Sequence, residues 1–225
     1  MPETRDIMIQ TEMLMTTTLE KARKDPESMK AKILAVARKI FGEYGFHGTT
    51  MRMIAHEVGI DISTLHYHWG EKKDLYEAAI IDINNDLREK FIETEKVIHG
   101  RPLEERMAIG IDMLTDYLFL HPEISNLVLY RYFGKIRHEE LADLKVPEFT
   151  IDSVRSMGLK QDKEHIQFSM VAVLTIMNSI HSFISGESFF RTMIRLDRGE
   201  YIDLVKRAIK RIFIPSFTQD GGMIE

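Results

Sequence analysis

His56, His66 and His68 lie close together in a chain that contains no cysteine, so a histidine-based metal site is the first chemistry to test. His66 and His68 are two apart on an expected helix and project from different faces, so they cannot close on one ion and read better as surface or anion-facing groups. No metal site is assigned. A GxSxG elbow, a phosphate-cradling glycine loop and an HExxH pair are also missing, so no catalytic residue is assigned, no cofactor is called for and an enzyme is not expected. Without cysteine, disulfides and thiol redox sensing are excluded.

The informative stretch is TTMRMIAHEVGIDISTLHYHWGEKKDL, residues 49–75. It reads as a short helix from about Thr50 to Val58, a tight turn at Gly59, and a second short helix with Asp61 as its cap. Ile54, Ala55 and Val58 would line the inner face of the first helix, with Ile60 and Leu65 completing a small core. Glycine suits a turn with positive φ, and Ala55 leaves room for two helices to cross closely. The result is a helix-turn-helix, whose second helix can enter a DNA major groove while the first crosses the backbone. The formal net charge of -5 counts mildly against nucleic acid, but the local distribution of charge matters more than the sum.

The surrounding elements are all helical by pattern, because apolar residues recur at three and four and no sustained alternation marks a strand. A first helix is expected from Asp25-Pro26 to about Gly45, with Ile33, Ala37, Ile40 and Tyr44 as its stripe. Long helices follow at 72–98 and from Leu103 to His121-Pro122, then at 123–143, 147–157, 162–185 and 200–213, the last ending at Pro215. The organisation is an extension at 1–24, a DNA-binding domain at 25–74 and a helical body at 75–225. Lys21, Arg23 and Lys24 could follow phosphate, with a plain packing or disordered extension an equal alternative. The stretch 166–186 lacks formal charge, yet Gln167, Asn178, His181 and several serines point to a helix buried against protein, with no membrane partner. Acids interleave the Met and Ile residues of the N-terminus, unlike an export signal, and a cytoplasmic location is expected.

FGEYGFHGTT, MRMIAHEVGI and STLHYHW in that order, with Lys72 and Leu75 opening a long helix, resemble the tetracycline-repressor (TetR) family of bacterial transcriptional regulators over residues 30–76. The resemblance implies an all-α chain with an N-terminal three-helix DNA-binding domain and a C-terminal helical ligand-binding and dimerisation domain. It implies that Arg52 reaches a base or phosphate, that Ile62, Ser63 and Thr64 face base edges, and that His66, His68 and Lys72 contact or lie near the backbone. The chemistry fits: arginine takes guanine bidentately, threonine offers a hydroxyl or packs on a thymine methyl, and a lysine near a helix start pairs with phosphate. Two positions depart from the pattern, His66 for the usual Tyr and Trp69 for the usual Phe.

One helix-turn-helix makes a small footprint, so pairing on half-sites of a palindromic operator is expected, and with it a homodimer. The apolar stripes of the last two long helices supply a candidate interface: Ile166, Val173, Ile180, Phe183 and Ile184, with Val205, Ile209 and Ile212. A body rich in Met and Phe suits a cavity for a small apolar or amphipathic effector, with Met107, Ile111, Leu114, Tyr117, Phe133, Met170, Leu174 and Met177 as candidate lining. His121, His138, His165 and His181 could orient a ligand if they point inward, although a lone histidine is more often satisfied locally. The functional expectation is a ligand-responsive repressor of transcription. The alternative is a helical protein-interaction scaffold of the same fold that does not bind DNA.

Overall fold

In the computed structural model, which describes residues 17–133 and 163–218, every regular element among the described residues is an α-helix. The chain divides into two compact units, Met1–Asn85 and Asp86–Glu225, and the division falls inside the long helix α5 (Lys72–Ile98) rather than at its start. The helix expected at 147–157, and the second half of the one expected at 123–143, lie outside the described residues.

Unit 1 begins with α1, residues 17–24, which buries Leu19 and Ala22. This part of the extension is therefore a packing helix, and Arg23 is committed to an ion pair with Asp82 at 2.6 Å. Helix α2 (Met29–Gly48) starts later than its sequence suggests, because Ser28 is the cap: its hydroxyl accepts from the Ala31 amide at 3.2 Å. Asp25 instead accepts from the Glu27 amide in the preceding turn. Helix α2 buries Ile33, Leu34, Ala37 and Phe41, with Tyr44 turned to solvent, and kinks at Gly45. Helices α3 (Met51–Val58) and α4 (Ile62–Trp69) cross through Ile54, Ala55 and Leu65, all buried. Gly59 between them has φ 79°, a conformation that a side chain would strain. The start of α5 closes this core with Leu75, Tyr76, Ala79 and Ile80, and the Tyr76 ring lies 5.0 Å from both Phe41 and Phe46.

Unit 2 contains the end of α5, α6 (Leu103–Leu120), α7 (Pro122–Phe133), α8 (Lys163–Ser185), α9 (Glu187–Ile194) and α10 (Arg198–Thr218). Helix α6 packs on α10, and α7 on α8. Across the first contact, Lys206 bonds Asp116 at 2.7 Å and Lys210 bonds Asp112 at 2.8 Å. Across the second, the buried His181 ring meets the Ser125 hydroxyl at 3.0 Å. Helix α9 has no counterpart in the sequence reading. Gly186 separates it from α8, and a Cβ there would stand 2.5 Å from the Phe190 ring, so only glycine allows that ring to fold back. Pro215 does not end α10, which continues to Thr218. Its missing N–H leaves only the carbonyl four residues back, on exposed Arg211, without a helical donor.

Helix α8 is long and apolar enough to cross a membrane by length and composition. In unit 2 one side of it, Val173, Ile176, Ile180 and Ile184, packs into the core.

Candidate nucleic-acid interface and ligand cavity

Leu65 and Trp69, one turn apart, point α4 inward and fix its rotation. Trp69 is further tied to α2, its indole N–H donating to the Lys30 carbonyl at 3.1 Å. Lys30 answers by donating to the His68 carbonyl at 3.2 Å. Burial, with the charge of Lys21 added, lowers the Lys30 pKa, and burial, then the charge of Lys30, lowers that of His68. The end of the recognition helix is thus pinned to the start of α2.

With that rotation set, Ile62, Ser63 and Tyr67 face outward, and Thr64 and His66 are half-exposed beside them. Ser63 and Tyr67 are one turn apart and offer hydroxyls for base edges or phosphate oxygens, while Ile62 offers a surface for a thymine methyl. Arg52 is exposed on α3, whose first turn is capped by the Thr50 hydroxyl. Asp61 occupies the cap position of α4 but makes no side-chain cap bond.

Tyr67 is the residue that sequence reasoning missed, and at 84% exposure it is the most prominent side chain on α4. The signal was present: Leu65 and Trp69 inward place Tyr67 on the opposite face. Three expected contacts have other engagements. The His66 ring Nδ1 lies 2.8 Å from the Gly70 carbonyl and closes the end of α4. His68 is engaged through its backbone carbonyl, which accepts from Lys30, while its ring Nδ1 is buried without a hydrogen-bond partner among the described residues. Lys72 donates to the Phe46 carbonyl at 2.9 Å and the Thr49 carbonyl at 3.0 Å, and sits 4.3 Å from the Phe46 ring centroid. It gathers the end of α2 and the entry to α3 onto α5, which is a positioning role.

Unit 2 holds a cavity of about 130 Å³ between the end of α5, α6 and α8. Met107, Ile111, Leu114 and Met177 line it as the sequence suggested. Tyr117, Met170 and Leu174 are not among its lining: Tyr117 packs against the His121 ring at 4.6 Å, and Leu174 is 44% exposed. The Phe133 side chain lies outside the described residues. The lining that was missed comes chiefly from α5, with Leu87, Phe91 and Ile98.

Much of the expected dimer stripe is covered by the chain itself. Val173, Ile180 and Ile184 on α8, and Val205 and Ile209 on α10, are buried within unit 2 itself. Val173 and Ile180 line the cavity. Ile166 and Phe183 are half-buried, and of that set Ile212 alone is well exposed, at 64%. The apolar residues α8 turns outward are Phe168, Val171 and Leu174. Periodicity locates an apolar face without saying whether the same chain covers it.

A recognition helix fixed by core residues on its inner side and carrying hydroxyls outward, in a chain that also has an all-helical unit with an apolar cavity, is the make-up of a helix-turn-helix regulator. Residues 33–79 match the family model of bacterial regulatory proteins of the tetR family. The HTH-type transcriptional dual regulator CecR of Shigella flexneri is 36% identical over 86 residues, a match spanning 37% of this chain but only 38% of CecR. The HTH-type transcriptional regulator SAB2452 of Staphylococcus aureus is 25% identical over 190 residues, covering 82% of this chain and 98% of that protein. A tetR-family transcription regulator from Shewanella sp. PV-4 shares the fold with a TM-score of 0.58 at 16% identity, over 82% of this chain and 97% of that one. The DNA-binding head thus matches that of tetR-family regulators over residues 33–79, and the chain is similar over most of its length to an HTH-type transcriptional regulator.

Proposed function

We propose that the protein is a cytoplasmic repressor that binds a two-fold symmetric operator as a homodimer and is released by a small apolar effector. The observation that carries this reading is the pairing, in one chain, of an outward Ile62, Ser63 and Tyr67 surface on α4 with an apolar cavity in unit 2. Repression needs only occupancy of a promoter-overlapping site, which an α4 docked in the major groove supplies without any further contact. Helix α5 contributes Lys72 to the packing of unit 1 and its last turns to the cavity wall, so a shift of this one helix would be felt at both. A homodimer follows from the small footprint of one head. The surface that suits it is Phe168, Val171 and Leu174 on α8 with Leu204 and Ile212 on α10, all exposed large apolar side chains.

Selection of duplex DNA from a random pool by the purified protein tests the operator and the dimer together. Wild type should enrich a two-fold symmetric motif, and Arg52→Ala with Tyr67→Ala should lose it. Val171→Glu with Leu174→Glu should give a folded monomer that binds half-sites weakly. Enrichment of an asymmetric motif by a monomeric wild type would refute the proposed dimer.

A further inference from the structure

The cavity lining says what kind of molecule it accepts, on the reading that an effector binds there. Its walls are aliphatic and aromatic side chains such as Phe91, Ile98, Ile111 and Ile176. The charged groups at its edge pair mainly with one another: Lys90 bonds Glu93 at 2.9 Å, and the Arg106 guanidinium stands 3.8 Å from the Glu95 carboxylate, although the buried Arg106 Nε makes no hydrogen bond among the described residues. The Thr94 hydroxyl donates to the Lys90 carbonyl at 2.8 Å. An ionised ligand group entering here would lose its hydration and compete with those pairs. An apolar cavity of roughly 150 Å³ accepts benzene in a well-studied helical protein, and this one is about 130 Å³. Met107 and Met177 in its wall can adjust to shape.

Gly110 sits within α6 and faces this space. Apart from proline, glycine is the least favourable residue in a helix interior. A Cβ at this position would meet only the Thr94 methyl, at an ordinary 3.8 Å, so the packing of the protein does not require glycine. What a side chain would remove is cavity volume. We infer that the cavity binds a compact, uncharged molecule with a hydrocarbon skeleton of about one aromatic ring, a size taken from the cavity comparison above, and that Gly110 sets the size limit.

Toluene is the probe, with benzoate as the charged ring and hexadecanoate as the long amphiphile, each titrated into the full-length protein and followed by ligand-observed NMR. Toluene should bind wild type and the other two should not compete. Gly110→Ala should keep the helix content and thermal midpoint of wild type or better, and weaken toluene by roughly tenfold, as expected for one methyl of overpacking. Gly110→Leu, checked for helix content, should abolish toluene binding. Binding of hexadecanoate or benzoate in place of toluene, no binding of any of the three, or equal toluene binding by a folded Gly110→Leu overturns the inference. Retention of the selected operator is measured separately, with and without each probe. Toluene binding lost in Gly110→Leu but without effect on operator retention sustains the cavity inference and refutes effector release through it. Operator release by hexadecanoate without toluene binding sustains effector release and overturns the cavity inference.

Discussion

Replacing Lys72 with Met separates two roles that the same residue could play. In the structure its ammonium donates to the Phe46 and Thr49 carbonyls and rests near the Phe46 ring. A hydrogen bond to a charged group contributes about 1.5–3 kcal/mol when desolvated. Lys72 is half-buried, so water competes and the lower end applies to only part of each bond. The expected loss is about 2 kcal/mol for the pair, with the ring contact included at under about 1 kcal/mol. Trp69 is the only tryptophan and is buried in unit 1, so its fluorescence reports unfolding of the DNA-binding head without interference from unit 2. With a urea slope of about 1–2 kcal/mol/M for a small unit, the Trp69 midpoint should fall by about 1–2 M. Operator affinity should fall too, but the slope of log affinity against log salt should stay as in wild type, because no phosphate contact has gone. The reverse result, an unchanged midpoint with a salt slope reduced by about 0.9, would show that Lys72 serves phosphate and that its carbonyl bonds contribute little.

Asp82 accepts from Arg23 of α1 at 2.6 Å and from Arg38 of α2 at 2.7 Å, with only 7% of its side chain exposed. Asp82→Asn should therefore cost about 3 kcal/mol by leaving buried positive charge uncompensated, read as a lower Trp69 midpoint, and an unchanged midpoint would deny the pair a stabilising role. Tyr67→Ala should leave that midpoint within about 0.5 kcal/mol, as for an exposed surface site, yet weaken the operator complex by about 1–3 kcal/mol if the ring reads a base edge; equal affinity by gel shift would remove Tyr67 from the interface. Burial holds His181 neutral and pushes its pKa down from 6.5 to about 4. The unfolded chain then binds a proton that the folded one refuses, so stability falls as pH drops from about 6.5 to about 4 and is unaffected above that window. Relative to His181→Asn, wild type should lose about 3 kcal/mol across it, measured by urea titrations followed by helical circular dichroism, and parallel pH curves would contradict the assignment.

The helix-turn-helix was legible because its constraints are local. Gly59 needs its positive φ, Leu65 and Trp69 need one face of a two-turn helix, and both requirements sit in adjacent residues. The cavity and the outer face of α8 were not legible for a related reason: their residue types are shared with the core. Val173 and Ile180 look like dimer residues and line the cavity, whereas Val171 and Leu174 look like core and face solvent. Helix α8 is apolar on most sides, so periodicity alone could not choose its inward direction. The carbonyl bonds of Lys72 were not legible because a lysine at a helix start near a DNA-binding motif has two natural acceptors, phosphate and carbonyl oxygen, and only the fold reveals that α2 ends within its reach. The start of α2 moved from Asp25 to Ser28 for the same kind of reason, since residues 17–24 already form a helix that ends at that point.

The size of the cavity limits how an effector can control DNA binding. A hundredfold preference between two arrangements is about 2.7 kcal/mol. If it comes from apolar volume at about 24 cal/mol per Å³, roughly 110 Å³ must differ between them, which is most of the 130 Å³ present. A compact ligand has no distant contacts from which to draw the rest. On the proposed effector-release reading, the DNA-competent arrangement is one in which α5, α6 and α8 have nearly closed the cavity, and the open cavity belongs to the released arrangement. A side chain that fills the space permanently should then act as a built-in effector. Gly110→Leu, folded and without any ligand, should bind the operator about a hundredfold more weakly than wild type, measured by fluorescence anisotropy at fixed salt. Wild-type affinity in that variant would mean that the volume of the cavity and the position of the recognition helix are not coupled.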